Sequence, residues 1–230
     1  NDLRTGLILK KMQEYIGNGQ LNKVRALCFC VDKEHARFMN AKFTLAGLRT
    51  DVLTSDDDNH HRALVKKQLQ AGTINYLFVV DLFNEGVDIP EVDTILFLRP
   101  TESATVFLQQ FGRGLRLHKG KDHLTVLDFV GHSRAEFSYK DRFEALIGRH
   151  SRNIREEIEG GFTNAPFGCK IVLEEKAKEE ILANIDGYLR SLNRSRIVKE
   201  IAAYHKVCNG SFSLKGFLAY SHIPFHKIYG

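Results

Sequence analysis

Apolar and polar positions follow one rhythm through the first part of the chain and another after it. Short continuous apolar runs at residues 26–31, 76–80, 94–98 and 124–130, with a weaker one at 50–53, read as strands buried within a sheet. The stretches between them carry helical spacing. Residues 3–15 predict a helix with Leu7, Met12 and Ile16 as burial candidates, stopped by Gly17-Asn18-Gly19. Asp32 is placed to cap a helix running to about Leu45, with Glu34 and His35 in its first turn and Gly47 after its end. The acidic loop Asp56-Asp57-Asp58 leads into a helix over 59–70 stopped by Gly72, and a further helix is expected over 103–115. Such alternation predicts an α/β fold, a largely parallel sheet with helices on both faces.

After Asp128 the strand-like runs cease. Residues 135–148 and 154–159 read as helices, and 160–169 form a glycine- and proline-punctuated connector. Residues 174–192 and 195–205 are long enough for helices, and Ser211 or Ser213 can cap another through about Tyr220. The expected organisation is an α/β domain over residues 1–148 and a smaller, mostly helical annex over 149–230.

With 230 residues and 43% hydrophobic content, the chain has room for one ordinary core and an appendage. It begins at Asn1 rather than Met, which suggests a piece of a longer protein. No apolar stretch approaches a membrane span and no signal peptide is visible, so a cytoplasmic setting is expected. Cys28, Cys30, Cys169 and Cys208 lack metal-site spacing; Cys28 and Cys30 share one face of a strand and read as buried free thiols. The net charge of +5 divides into +2 for residues 1–149 (21 basic, 19 acidic) and +3 for residues 150–230 (12 basic, 9 acidic). A nucleic-acid footprint would therefore rest on individually placed residues rather than on the overall field. In the annex, Lys170, Lys176 and Lys178 alternate with glutamates and read as solvating residues, and the helices between 195 and 220 lack a clear base-reading set.

Chemistry concentrates in two segments. Gln109-Gln110-Phe111-Gly112-Arg113-Gly114-Leu115-Arg116 places two arginines at i, i+3, on one face of a helix, where their planar forks suit phosphate oxygens. Upstream, the apolar run ending in Asp81 opens into a turn containing Gly86, Asp88 and Pro90. In an open parallel sheet such residues sit outside the carboxyl ends of the strands, where ligands bind. A phosphate-binding G-x-x-x-x-G-K-[ST] loop is missing: the nearest approach, Gly114 to Gly120-Lys121-Asp122, has five intervening residues and ends in Asp. Asp57-Asp58-Asn59-His60 follows polar loop instead of an apolar strand and is a poor metal-holding box.

These segments together resemble the second RecA-like lobe of superfamily 2 helicases and translocases. Gln109, Gly112, Arg113 and Arg116 match motif VI, Q-x-x-G-R-x-x-R, at each fixed position. Asp81, Gly86, Asp88 and Pro90 match motif V, with Val80 where many members carry Thr, and residues 27–31 look like motif IV. The resemblance implies an ATP site shared with a missing first lobe that holds most of the ATP and Mg²⁺. It implies that Arg113 and Arg116 act as arginine fingers and Gln109 orients the attacking water, all three with Gly86 and Asp88 binding ATP. Lys33, Ser55 and Leu82, in strand-end loops, would follow a DNA or RNA backbone. The chain alone is then expected to lack ATPase activity. The region after the lobe resembles that of a bacterial helicase group often fused to a phospholipase D-type nuclease domain. A non-catalytic scaffold that binds nucleic acid or a partner protein is the alternative.

Overall fold

The structure, a computed structural model, describes residues 2–17, 19–80, 89–99, 109–110, 112, 118–119, 121–129, 139–147, 154–163, 165, 169–190, 193–208, 212–221, 223, 225 and 228. Among them, β1 (Ala26–Phe29), β2 (Thr50–Leu53), β3 (Tyr76–Val79), β4 (Thr94–Phe97) and β5 (Thr125–Asp128) form a parallel sheet in the order β2-β3-β1-β4-β5. Helices α1 (Asp2–Ile16), α2 (Lys33–Leu45) and α3 (Asn59–Ala71) belong to the same unit. The expected parallel sheet with flanking helices is the observed architecture.

Strand alternation divides the sheet into two faces. Cys28, Phe78 and Leu96 stand in register on one face and cluster with Ile8 and Met12 of α1 and Ala36, Met39 and Phe43 of α2. The Phe43 ring meets Tyr76 and Phe78 edge-on, at 5.4 and 5.0 Å between centroids. The right-handed crossover rule sends α2, between β1 and β2, to the opposite face from α3, between β2 and β3. On that second face Phe29 stacks on Phe97 at 5.5 Å.

The inward line of α1 differs from the expectation. Leu7 is 54% exposed, and Thr5, Ile8 and Met12 are the buried residues. Adjacent helical positions are turned by about 100°, so the stripe that buries Ile8 and Met12 leaves Leu7 on its flank. Met12 is fully buried and Ile16 packs partly buried on the same core, as its spacing predicts. Cys28 and Cys30 are both buried free thiols on one face, also as predicted.

The amino ends of the strands are locked by a buried amide. Asn75 donates from Nδ2 to Val24 O at 2.8 Å and accepts from Arg49 Nε at 2.8 Å, while its carbonyl accepts from Ala26 N at 2.7 Å. At Gly72, which ends α3 with φ 75°, a Cβ would overlap the Arg25 guanidinium. The predicted stop is therefore also a point of close side-chain approach.

The chain divides into two compact units, Asn1–Ser133 and Arg134–Gly230. In the second, α4 (Tyr139–Ile147), α5 (Ile154–Gly160) and α6 (Glu175–Arg190) pack on one another, and α7 (Arg194–Val207) packs on α8 (Leu214–Ser221). Ile154, Ile158, Ile181 and Ile185 are buried, and Arg155 bridges Glu159 and Asp186. After α5 the connector turns at Gly161 and Phe162, both with positive φ, as the Phe162 ring packs against Phe143 at 5.1 Å. Lys140 of α4 donates to Ser221 O of α8 at 3.2 Å, joining the helical pair to the rest of the unit. Among the described residues no helix is long and apolar enough to cross a membrane.

Candidate functional site

The strand order makes the carboxyl end of β1 a switch point. The chain leaves β1 toward β2 but leaves β3 and β4 toward β5, so the crossovers flanking β1 diverge. In open parallel sheets ligands occupy such a crevice. Hydrogen bonds run past the strands there: Cys30 N donates to Val79 O at 2.9 Å and Leu98 N to Phe29 O at 3.0 Å. Burial pushes the Cys30 thiol up to about 12, with the nearby Arg99 charge offsetting part of it, so it stays a neutral thiol.

Beyond Cys30 the chain turns into α2. Asp32 accepts from His35 N at 2.7 Å, the predicted cap, and Val31 N donates to His35 Nδ1 at 3.3 Å. Burial and the Arg4 charge lower the His35 pKa, which keeps that nitrogen available as an acceptor.

Lys33, the first residue of α2, reaches across to the loop after β2, where Nζ lies 2.5 Å from Asp56 Oδ1. Arg37 adds a longer contact to the other Asp56 oxygen at 3.9 Å. The Lys33 hydrogen bond holds the Asp56 carboxyl below its usual range. Lys33 and Ser55, two of the expected nucleic-acid contacts, are thus neighbours in space through Asp56. Ser55 is exposed, and its hydroxyl lies 3.5 Å from Asp56 Oδ1.

A second network stiffens this loop, and sequence reasoning missed it. Asp57 Oδ2 accepts from Thr54 N at 2.6 Å and from its hydroxyl at 3.0 Å, while Oδ1 lies 2.9 Å from His61 Nδ1. Arg62 donates to Asp57 O, Thr54 O and Ser55 O at 2.9, 3.3 and 3.4 Å. Burial acts to raise the Asp57 pKa, but the Thr54 and His61 bonds outweigh it and the net shift is downward. Asp58 caps α3 by accepting from His61 N at 2.7 Å. The available signal was the spacing of Asp57 and His61, i and i+4 at a helix start.

Gln109 is helical and exposed, Gln110 is helical and buried, and Gly112 is helical. Leu82, Gly86, Asp88, Arg113 and Arg116 lie outside the described residues. Val80, where the resemblance leads to an expectation of Thr, packs on the hydrophobic core beside Phe78 and Leu98. An apolar side chain there serves the fold. Among the described residues no group of three or more His, Cys, Asp or Glu side chains could hold a metal ion.

Residues 8–118 match the model of the helicase conserved C-terminal domain. Over that span the first unit is similar to a helicase conserved C-terminal domain. The matched span takes in β1 through β4 and the whole of Gln109–Arg116. The chain is 37% identical over 123 residues to the Saccharomyces cerevisiae protein IRC3, whose name describes a putative ATP-dependent helicase; the alignment covers 53% of this chain and 18% of that protein. UvrABC system protein B of Kosmotoga olearia is 30% identical over 156 residues, covering 66% of this chain and 22% of its own. The chain thus spans about a fifth of the length of these two relatives. Among solved structures, the E. coli DEAD-box protein SrmB bound to regulator of ribonuclease activity A is 21% identical, with a TM-score of 0.46 over 55% of this chain and 69% of that chain.

Proposed function

We propose that the α/β unit is a helicase domain, the second motor lobe of an ATP-dependent DNA or RNA helicase or translocase, working with a first lobe carried by the same longer protein. The observation that carries the reading is the family match over residues 8–118, which includes every fixed position of Q-x-x-G-R-x-x-R. The switch point at β1 supports it, because the divergent crossovers leave a crevice at the strand ends.

In this reading ATP lies between the lobes. The first lobe supplies the phosphate loop and most of the Mg²⁺ coordination. Arg113 and Arg116 stabilise charge on the terminal phosphate as the bond to it breaks, and Gln109 orients the attacking water. Gly86 lets main chain approach the phosphates and Asp88 accepts a hydrogen bond from ribose or water. Lobe closure and reopening shift the loops bearing Lys33, Ser55 and Leu82 along a phosphate backbone. Backbone tracking reads no base edges, so sequence preference is low. The Lys33–Asp56 pair pre-positions the lysine, and an incoming phosphate competes with Asp56 for it.

The same reading places the protein in a reducing cytoplasm, in the bacterial group often fused to a phospholipase D-type nuclease domain, with residues 149–230 as the start of an accessory module. ATP turnover tests the division of labour. The 230-residue chain alone is expected to hydrolyse no ATP above background, and the complete protein to hydrolyse it with stimulation by nucleic acid. Turnover by the isolated chain that Arg116→Ala abolishes, which excludes a contaminant, contradicts an ATP site completed only by a missing lobe. A complete protein without a phosphate loop and without turnover favours the scaffold.

A further inference from the structure

The helical boundaries redistribute the charge. Residues 1–190 contain 27 basic and 27 acidic residues, whereas residues 191–230 contain 6 basic and 1 acidic, so the whole net charge of +5 falls on the segment that includes α7 and α8. Division at residue 149 conceals this, because the glutamates of α5 and α6 balance it. Arg194 and Lys199 of α7 and Lys215 of α8 are exposed, and among the described residues none of the three makes an ion pair. Elsewhere Lys33, Lys42 and Arg155 each end on a carboxylate.

The helical pair also presents an aromatic ring. Phe212, at the turn into α8, is 46% exposed although one side of it meets Tyr204 edge-on at 5.5 Å. Tyr204 also packs against Phe217 and Tyr220, at 5.9 and 5.1 Å. A Cβ at Gly216 would overlap the Tyr204 hydroxyl, so glycine allows the two helices to close on this cluster. Ser213 caps α8 by accepting from Gly216 N at 3.0 Å. The cluster holds Phe212 from behind and leaves its outer side to solvent, close in sequence to Lys215.

We propose that α7 and α8 form a second nucleic-acid site, which takes a single-stranded polynucleotide through phosphate contacts to Arg194, Lys199 and Lys215 and base stacking on Phe212. Unpaired cations bind phosphates without first surrendering a carboxylate, and their binding is driven by counterion release. A half-exposed, rigidly backed ring stacks on any base, which separates a single strand from a duplex whose bases are already stacked. Short basic helices that lack a base-reading set fit a ligand recognised by backbone and stacking rather than by sequence. The site is independent of the motor-lobe reading, since no residue of the first unit belongs to it.

The test uses the full 230-residue chain and a fluorescently labelled oligothymidylate, titrated by anisotropy at about 50 and 200 mM salt. The triple variant Arg194→Gln, Lys199→Gln, Lys215→Gln is expected to lose on the order of tenfold or more in affinity and to flatten the log–log salt slope by about 2, as three lost single-strand contacts require. A control triple, Lys170→Gln, Lys176→Gln, Lys178→Gln, removes the same charge and is expected to bind as wild type. Equal losses in both triples overturn the site, and so does wild-type binding by the first. A loss seen only in Lys33→Gln overturns it while leaving the motor-lobe reading standing. Because the chain contains no tryptophan, Phe212→Trp introduces a unique fluorophore. Its emission is expected to be quenched by the strand, and unchanged emission at saturation overturns the stacking contact. Tighter binding to a duplex of equal length, or to phosphatidylserine vesicles through the same three residues, also overturns the proposal.

Discussion

In the α/β unit, Lys33 and Lys42 end on Asp56 and Asp2 at 2.5 and 2.7 Å, while on α7 and α8 Arg194, Lys199 and Lys215 face solvent without a carboxylate among the described residues. In the first unit Lys33 holds the loop after β2 and Lys42 the start of α1. On α7 and α8 the proposed site leaves its three cations available to a ligand. Net charge per half of the chain misses this contrast, because pairing and position decide what a basic residue can do. The cores differ too: strands buried on both faces support the first unit, whereas helices joined by aromatic and isoleucine contacts form the second.

Truncating the core should show the largest effect on stability. Phe43→Ala removes a fully buried ring that contacts Tyr76 and Phe78, and a loss of about 3–5 kcal/mol is expected for the α/β unit in chemical denaturation. Signals reporting on the helical unit should change less. Equal destabilisation of both units would show that they fold as one and would break the comparison.

Helix caps offer a matched pair of smaller changes. Asp32→Ala in the first unit and Ser213→Ala in the second each remove an observed cap bond, at 2.7 and 3.0 Å, and each should cost about 1 kcal/mol. Only the Asp32 variant should perturb the loop beside β1; only the Ser213 variant should loosen the Phe212 platform. Amide hydrogen exchange in the two segments distinguishes them.

The sheet and most helices were legible because apolar runs and helical spacing are local consequences of burial. Asp32 as a cap, Gly72 as a stop and the shared face of Cys28 and Cys30 all follow from short-range rules and are observed. Leu7 was misread because an exposed leucine and a buried one differ only in the phase of the helix, which neighbouring elements set. The Lys33–Asp56 bridge spans 23 residues and depends on strand order, so no local pattern announces it. Asp57, Thr54 and Arg62 form a network for the same reason. Gln109, Arg113 and Arg116 were legible as a motif, but the roles proposed for them depend on residues outside this chain.

A still smaller effect comes from His35. Its pKa is lowered from 6.5 by burial and Arg4, so the folded state disfavours the proton. The stability it contributes is complete above pH 6.5 and is lost as pH falls through the lowered folded value, when Nδ1 can no longer accept from Val31 N. Thermal melts between pH 7.5 and 5, taken as about the range bracketing histidine titration, should show a downward drift in Tm that His35→Gln reduces. An identical drift in the variant assigns the dependence to other groups.

The most direct measurement of the central claim is nucleic-acid-stimulated ATP turnover of the complete protein carrying Arg113→Lys or Arg116→Lys. Lysine keeps the charge but loses the planar fork. If the pair acts on the terminal phosphate, kcat falls steeply, toward the factor of about 10³–10⁵ associated with arginine fingers, while Tm and ATP affinity change little. Near-normal kcat in both variants, or a lowered Tm with normal turnover per folded molecule, would contradict the assignment of this domain as a motor lobe.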